Sequence, residues 1–222
     1  FFFTLDVLSE NIGQPGELFP IKVNKGIFTS SNGLIKIDNS YYKLVPLSFS
    51  KQGQYVMFED TKIFVQNKDF GESRITITNN ALVNLSDEDK DRTIRESKII
   101  NKALQTYSKK MKPTFSFISP VDGIISSRYG KKRFINNSPR SPHLALDIAA
   151  PEGTKVLSPE DGKVILIGNF FYSGNYLIID HGQGLLSSYS HLSSISVSED
   201  DILKQGQELS LIHISEPTRH AS

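Results

Sequence analysis

The segment "PHLALDIAAPEGTKV", residues 142–156, constrains the fold of this chain more than any other. Prolines at 142 and 151 leave too few residues between them for a helix, because proline disrupts its own helical position and disfavours the one before it. We therefore expect a strand, in which alternate side chains share a face, with His143 and Asp147 on the same side. The opposite face would carry aliphatic side chains that pack into a sheet, namely Leu144, Leu146 and Ile148.

The predicted polar face offers an imidazole and a carboxylate separated by the small Ala145. Such nitrogen and oxygen donors suit zinc. The chain has no cysteine, so thiolate ligands and disulfides are excluded. On spacing alone, however, a His–Asp pair on a protein surface explains the pattern as well as a metal site does.

Composition narrows the classes of function. The 222 residues carry a net charge of +1, which gives no electrostatic case for binding nucleic acid or an anionic membrane. Hydrophobic residues make up 38%, enough for a packed core, and no apolar run approaches the roughly 20 residues of a membrane span. The opening "FFFTL" is either the end of a trimmed signal segment or the first strand of a fragment, and no complete export signal is visible.

Residues 1–84 alternate apolar and polar residues between turn signals, which predicts a small antiparallel β module. The strand candidates include "GIFTS", "GLIKIDNSYYKLVPLSF", "KIFVQ" and "RITIT". This module contains no histidine and no obvious catalytic group, so we expect a structural or docking role.

Residues 85–112 predict one linking helix. Ser86 followed by Asp89 resembles a capping box, and Lys109 and Lys110 would complement the helix dipole in the last turn. Its charges are expected on a solvated face, and Pro113 marks the boundary to the next domain. The predicted apolar stripe is Ile94, Ile99, Ala103, Leu104 and Tyr107.

Residues 113–208 return to strands and turns and hold all the candidate chemistry. "SPEDGK" lies between two apolar runs and predicts a hairpin. His191 follows a strand in "SSYSHLSSISV", where small neighbours leave an open floor, although a lone histidine is more often structural. His181 in "DHGQG" is interpreted as a hydrogen-bonded residue of a glycine-rich turn.

Several of these motifs, in this order, resemble the lysostaphin-type (LytM-like) zinc metallopeptidases, which are bacterial enzymes that cut peptidoglycan. The resemblance rests on "FISPVDGIISSRYGKKR", "HLALDIAAPEGTKVLSPEDGKV", "GNYLIIDHGQGLLSSYSHLSSISV" and "DILKQGQEL". It covers most of residues 114–208. More loosely, residues 20–112 look like the region that precedes this domain in a subset of Gram-negative members.

The resemblance implies a zinc endopeptidase that hydrolyses peptide bonds of peptidoglycan in the cell envelope, with the periplasm as the expected compartment. His143 and Asp147 match the first two zinc ligands, and His191 matches the catalytic histidine of a Tyr-x-His-Leu motif. The implied architecture is a LytM-like (duplicated hybrid motif-like) antiparallel sheet forming a groove. The loop of residues 168–175 would line its wall, and Phe170, Phe171 and Tyr172 would either contact substrate or serve packing.

The pattern breaks after Glu208. The family's third ligand comes from a His-x-His motif, and the chain reads "LSLIHISEPTRHAS" instead. We expect the third ligand to be missing from this chain, since His213 and His220 are seven apart and lack the glycine-rich surroundings. Residues 209–219 look like a translated sequencing adapter, so 209–222 is interpreted as a non-native tail. The chain as written is therefore expected to be inactive, and its intact parent to be an enzyme.

Two other functions remain open at this level. A LytM-like regulator would be catalytically dead and would activate a separate cell-wall amidase, with the amidase or the division machinery as partner. A sugar- or wall-binding β module would need no metal. Intact residues at His143, Asp147 and His191 favour the enzyme.

Overall fold

β-Strands dominate the fold, which confirms the predicted mainly β class. The computed structural model describes residues 11–23, 34–37, 39–77 and 85–212. Within these ranges the chain forms seventeen strands and one α-helix. No helix in these ranges has the length and apolar character needed to cross a bilayer.

The first seven strands precede the helix, and the other ten follow it. The earlier ones are β1 (Asn11–Gly13), β2 (Leu18–Val23), β3 (Leu34–Ile37), β4 (Ser40–Pro46), β5 (Tyr55–Phe58), β6 (Thr61–Val65) and β7 (Glu72–Ile75). Helix α1 is Asp87–Ala103. The later strands are β8 (Ile124–Ser127), β9 (Lys132–Ile135), β10 (Ser138–Arg140), β11 (Asp147–Ala149), β12 (Lys155–Leu157), β13 (Gly162–Phe170), β14 (Gly174–Gly182), β15 (Leu185–Ile195), β16 (Ile202–Leu203) and β17 (Glu208–Ile212).

The chain divides into two compact units. The first unit comprises residues 1–73, 128–133 and 141–145, and the second comprises 74–127, 134–140 and 146–222. His143 thus belongs to the first unit, whereas Asp147 and His191 belong to the second.

Two three-stranded sheets form most of the first unit, in the orders β1-β6-β5 and β2-β4-β3. Most pairs are antiparallel, as predicted, but β1 runs parallel to β6. Alternation places one side of these strands in a shared core that consists of Val45, Leu47, Ile63 and Val65.

Helix α1 starts as predicted and ends earlier. The Ser86 hydroxyl accepts from the Asp89 N–H at 3.1 Å, which satisfies a donor of the first turn. The helix stops at Ala103, so the placement of Lys109 and Lys110 in its last turn was wrong. The chain after the helix bonds instead to the β14–β15 turn, where Gln183 donates from its backbone to the Ser108 carbonyl and from its side chain to the Lys109 carbonyl.

The face of α1 that packs on the sheet differs from the predicted stripe. Ile100 and Ala103 contact a core cluster of the second unit, made of Leu166, Phe170, Tyr176 and Ile178. The other predicted members, Ile94, Ile99, Leu104 and Tyr107, are exposed. Charged residues explain the error. Glu96 and Arg92 lie one and two turns before Ile100 on the inward side of the helix, and they are held there by polar contacts with β13 and the loop after it.

A six-stranded sheet organises the second unit, in the order β12-β17-β15-β14-β13-β16. Its long strands β13, β14 and β15 pair antiparallel in sequence order. Apolar residues on the face away from α1 form the larger core cluster: Val156, Val164, Leu177, Ile179, Leu192, Leu203 and Leu209.

The predicted "SPEDGK" hairpin is wrong. β12 and β13, which flank it, are not neighbours, because β12 pairs with β17 at one edge of the sheet while β13 lies near the other. The segment between them crosses one end of the sheet and is fixed by buried polar bonds. Within it, Ser158 donates to the Glu160 carbonyl at 2.7 Å, and the Ile118 N–H donates to the Pro159 carbonyl at 3.0 Å.

Buried carboxylates attach the segment after α1 to this sheet. Glu160 accepts from the Thr114 hydroxyl at 2.7 Å and from the Thr114 N–H at 3.1 Å. Asp180 accepts from the Ser108 hydroxyl and from the Gly182 N–H. Because a buried carboxylate without partners is costly, each of these contacts ties a loop to a fixed place.

The central strand β14 predicts a clear difference in stability. We expect Ile178→Ala to lower the free energy of unfolding by about 2–5 kcal/mol, because it leaves a cavity in a packed core. Ile178 is 0% exposed, whereas Ile202 in the same sheet is 68% exposed. Urea denaturation measures both, and an Ile202→Ala variant that loses as much stability would contradict the assignment of the core.

Candidate functional site

The segment around His143 does not form the predicted continuous strand. Regular pairing begins only at Asp147, where β11 runs antiparallel to β8. Leu144 and Leu146 are 56% and 51% exposed, while His143 is 5% exposed, so the predicted inward and outward faces are reversed before Asp147. The reason is local: the backbone of His143 bonds to a turn rather than to a sheet partner.

A glycine turn and three aromatic rings hold His143 in the first unit. The Gly130 N–H donates to the His143 carbonyl at 2.6 Å, and the His143 N–H donates to the Lys131 carbonyl at 2.8 Å. Gly130 has a φ of +91°, and a Cβ there would lie 2.4 Å from Cγ of Phe70, so only glycine fits. The rings that support the turn are Phe49, Phe70 and Tyr129, which contact one another mainly edge to face.

Asp147 lies in the second unit at the first position of β11. It pairs with Ser127, and the register shifts between Asp147 and Ile148. Such irregularities redirect side chains next to functional sites. The carboxylate is half-buried, and the Ser126 hydroxyl donates to the Asp147 backbone oxygen at 3.3 Å.

His191 lies in β15 with an unusual backbone. Its φ is +59°, a left-handed value that costs a side-chain-bearing residue roughly 1–2 kcal/mol. Its N–H donates to the Ser173 carbonyl at 2.8 Å. The side chain is exposed, so the strand presents the imidazole to solvent beside Gly174.

Asn175 is a residue that the sequence analysis did not single out. Its side-chain amide donates to the carbonyls of Leu192 and Ser193, directly after His191. One signal existed: Asn175 is a polar residue at the start of the apolar run "YLII", where a strand core expects an aliphatic side chain.

His181 is hydrogen-bonded, as predicted, although it lies within β14 rather than in the turn. Its Nδ1 is 2.8 Å from the Asp161 carbonyl, so this nitrogen carries a proton, because a carbonyl only accepts. Its Nε2 is 2.7 Å from the Ser187 hydroxyl. Tyr189 donates to the same hydroxyl at 3.1 Å, and burial raises the pKa of Tyr189 to about 12. This chain of bonds fixes β15 two residues before His191.

The aromatic loop after β13 divides its residues between packing and exposure. Phe170 is buried in the core under α1, Phe171 is half-buried, and Tyr172 is 63% exposed. Glu96 of α1 holds the loop, because its carboxylate accepts from the Phe171 N–H at 2.7 Å. Of the three aromatic residues, Tyr172 is therefore the one best placed to meet a ligand.

The described residues do not by themselves supply a complete zinc site. Among them, no group of three or more histidine, aspartate or glutamate side chains is arranged to hold a metal ion. Protein zinc sites use three or four such ligands. His213, His220 and residues 213–222 of the predicted non-native tail lie outside the described residues, while Leu209–Ile212 belongs to β17.

Comparison with known proteins identifies the region that carries these residues. Residues 141–220 match the family model described as "Peptidase family M23". Over this stretch the chain therefore resembles peptidase family M23. The match spans His143, Asp147, His181 and His191, and it confirms the family resemblance seen in the sequence.

Curated relatives of this M23 region include proteins with different described roles. The chain is 38% identical over 95 residues to peptidoglycan DD-endopeptidase ShyA of Vibrio cholerae. The aligned stretch covers 41% of this chain and 22% of ShyA. It is 31% identical over 91 residues to murein hydrolase activator NlpD of Salmonella typhimurium, 40% of this chain and 22% of NlpD. The matched part thus spans less than a quarter of either relative.

A solved structure supports the fold over a longer stretch. A crystal structure described as a putative peptidase M23 from Pseudomonas aeruginosa matches with a TM-score of 0.67 and 26% identity. The match covers 89% of this chain and 81% of that one, so it extends beyond the M23 region into the N-terminal strands.

The pKa of Tyr189 predicts a loss of stability in alkali. An unfolded tyrosine ionises near pH 10.0, while native Tyr189 keeps its proton to about pH 12. The stabilisation is therefore fully present below about pH 10 and disappears as the pH rises through 12, a change of roughly 2–3 kcal/mol. Urea denaturation between pH 9 and 12 measures it, and Tyr189→Phe should decline less steeply; an equal decline would contradict this assignment.

The backbone of His191 predicts an unusual order of stabilities. We expect His191→Gly to be more stable than His191→Ala by about 1 kcal/mol, because glycine adopts a positive φ without strain. Ordinary strand positions show the opposite order. Urea denaturation of both variants tests this, with the same pair of substitutions at exposed Ser188 in β15 as the matched control.

Proposed function

We propose that this chain carries the catalytic domain of a zinc-dependent endopeptidase that hydrolyses peptide bonds of bacterial peptidoglycan in the periplasm of a Gram-negative cell. One observation carries the proposal. The region matched to peptidase family M23 contains His143, Asp147 and His191 in the order and context of the family motifs. The described role of ShyA as a peptidoglycan DD-endopeptidase supports this substrate class.

The residues divide the proposed work between them. His143 and Asp147 are nitrogen and oxygen donors of the kind that zinc prefers, and they supply two of the protein ligands. A third ligand must come from outside the described residues. His191 presents an exposed imidazole, whose ordinary pKa range allows it to accept or donate a proton near neutral pH.

A second function has an observation of its own. A non-catalytic M23 domain that activates a cell-wall amidase would not need three metal ligands, and the described residues do not form such a group. The similarity to murein hydrolase activator NlpD supports this alternative. The amidase would then be the partner, and peptidoglycan would be the substrate of the amidase.

Substitution of the proposed ligands separates the two functions. With an endopeptidase, the intact parent protein incubated with zinc releases soluble peptide fragments from purified peptidoglycan, and His143→Ala or Asp147→Asn abolishes the release. Asp147→Asn preserves side-chain shape, so it remains informative if removal of the buried His143 prevents folding. Chromatography of the released fragments and elemental analysis of bound zinc are the measurements.

The control and the opposing results are defined by the same assay. Asn101→Ala on the exposed side of α1 should leave release and zinc content unchanged. The activator is supported instead if the protein does not cleave peptidoglycan itself but increases digestion by an added amidase. The Asp147→Asn variant should then increase that digestion equally. Absence of both cleavage and amidase activation would contradict both functions.

A further inference from the structure

His191 lies in a local irregularity of the β14–β15 pair. Leu177 pairs with Tyr189 and Asn175 pairs with Leu192, so one residue lies between the pairs on β14 and two lie between them on β15. The extra residue makes a β-bulge, which bends a strand and redirects its side chains. Within it, His191 has its left-handed φ of +59°, and its N–H bonds to Ser173, outside the paired residues.

The side chain of Asn175 spans the end of this bulge. Its Nδ2 donates to the Leu192 carbonyl at 3.0 Å and to the Ser193 carbonyl at 3.1 Å. Because carbonyls only accept, the amide nitrogen and not the oxygen must face them. The oxygen, Oδ1, accepts from Nδ2 of Asn169 at 2.9 Å. All three polar positions of the amide are therefore used, and its orientation is fixed.

The geometry of the strand after His191 explains how one amide reaches both carbonyls. Carbonyls of successive residues in a regular strand point in opposite directions, so a single amide group cannot reach two of them in a row. Ser193 is itself an extra residue opposite β17, because Leu192 pairs with Ile212 and Ser194 pairs with Leu211, and this second irregularity lets both carbonyls face Asn175. The two bonds from Nδ2, here called the Asn175 fork, thus fix Leu192 and Ser193, the two residues that directly follow His191.

We propose that Asn175 is a positioning residue that holds the backbone of His191 in its left-handed conformation and so aims the imidazole. The proposal rests on the proposed function only in treating His191 as the proton-transfer residue. Without the fork, β15 can relax into regular pairing with β14. A shift of one residue in an antiparallel pair turns a side chain to the other face of the sheet, which would remove His191 from the site.

The chain offers a graded set of variants. Asn175→Asp has nearly the same shape but places acceptor oxygens against two carbonyls, so it should disturb His191 most. Asn175→Ala removes the fork without adding repulsion. Asn169→Ala removes only the bond to Oδ1 and should produce a smaller change in the same direction, and it keeps the proposal testable if the Asn175 variants fail to fold. Asn101→Ala on α1 is the control.

Nuclear magnetic resonance of the full isotope-labelled chain measures the conformation directly. His191 signals are assigned by their loss in His191→Gln. We expect its amide-to-Hα coupling to rise towards the strand value in Asn175→Asp and Asn175→Ala, and its amide exchange to speed up at least about tenfold. The amides of Leu177 and Ile179 should stay protected, which separates repositioning from unfolding. Unchanged His191 coupling and exchange in both Asn175 variants would overturn the proposal.

Cleavage of peptidoglycan gives a second and separate readout. If the intact parent protein cleaves, Asn175→Asp in that parent should lower kcat on the order of 100-fold with little change in KM, because misplaced catalytic groups cost rate more than binding. An intact parent that does not cleave contradicts the proposed function, while the resonance data still test Asn175. Conversely, if the intact parent cleaves but the Asn175 variants leave the His191 signals unaltered, only the role of Asn175 is contradicted.

Discussion

Burial of β14 on both faces is the constraint on which the second unit depends. Every residue from Tyr176 to Gly182 is buried. Leu177 and Ile179 face one core cluster, and Tyr176 and Ile178 face the other, next to α1. Each fully buried aliphatic side chain contributes roughly 1.5–3 kcal/mol, so any shift of β14 is opposed on both sides. The strand therefore acts as a fixed reference for its neighbours.

The polar residues of β14 make this register more specific. Asp180 and His181 are buried in the same strand and are satisfied only by particular partners, Ser108 on one side and the Asp161 carbonyl and Ser187 on the other. A slip by one residue would exchange their positions and leave buried polar groups unpaired, at a cost of about 1–3 kcal/mol each. Irregularities in the β14–β15 pair accordingly occur only near its ends, by Asn175 and by Gly182.

Local patterns in the sequence predicted local structure well. The Ser86 cap and the alternating strands β3, β4 and β6 depend on neighbours in sequence. The predicted hairpin across "SPEDGK" failed because the partner of β12 is β17, about fifty residues later, and a turn motif carries no information about that pairing. The helix stripe failed for a related reason, since polar partners on the sheet selected Arg92 and Glu96 for the inward face.

The sequence nominates residues for the candidate site but does not predict their conformation. Family motifs pointed to His143, Asp147 and His191, whose roles remain proposals, whereas the reason His143 is buried lies in two backbone bonds to the Gly130 turn.

The backbone conformation also determines where His191 points, and the spacing of motif residues does not encode that conformation. His143 depends on a glycine turn, and His191 depends on a bulge and a left-handed φ. Both conformations are set by main-chain carbonyls and N–H groups, which are the same at every position of the chain. A residue that bonds to those groups, such as Asn175, influences a histidine without touching its ring. Positioning residues of this kind are therefore recognised from hydrogen-bond geometry, and hardly at all from the sequence pattern around the histidine itself.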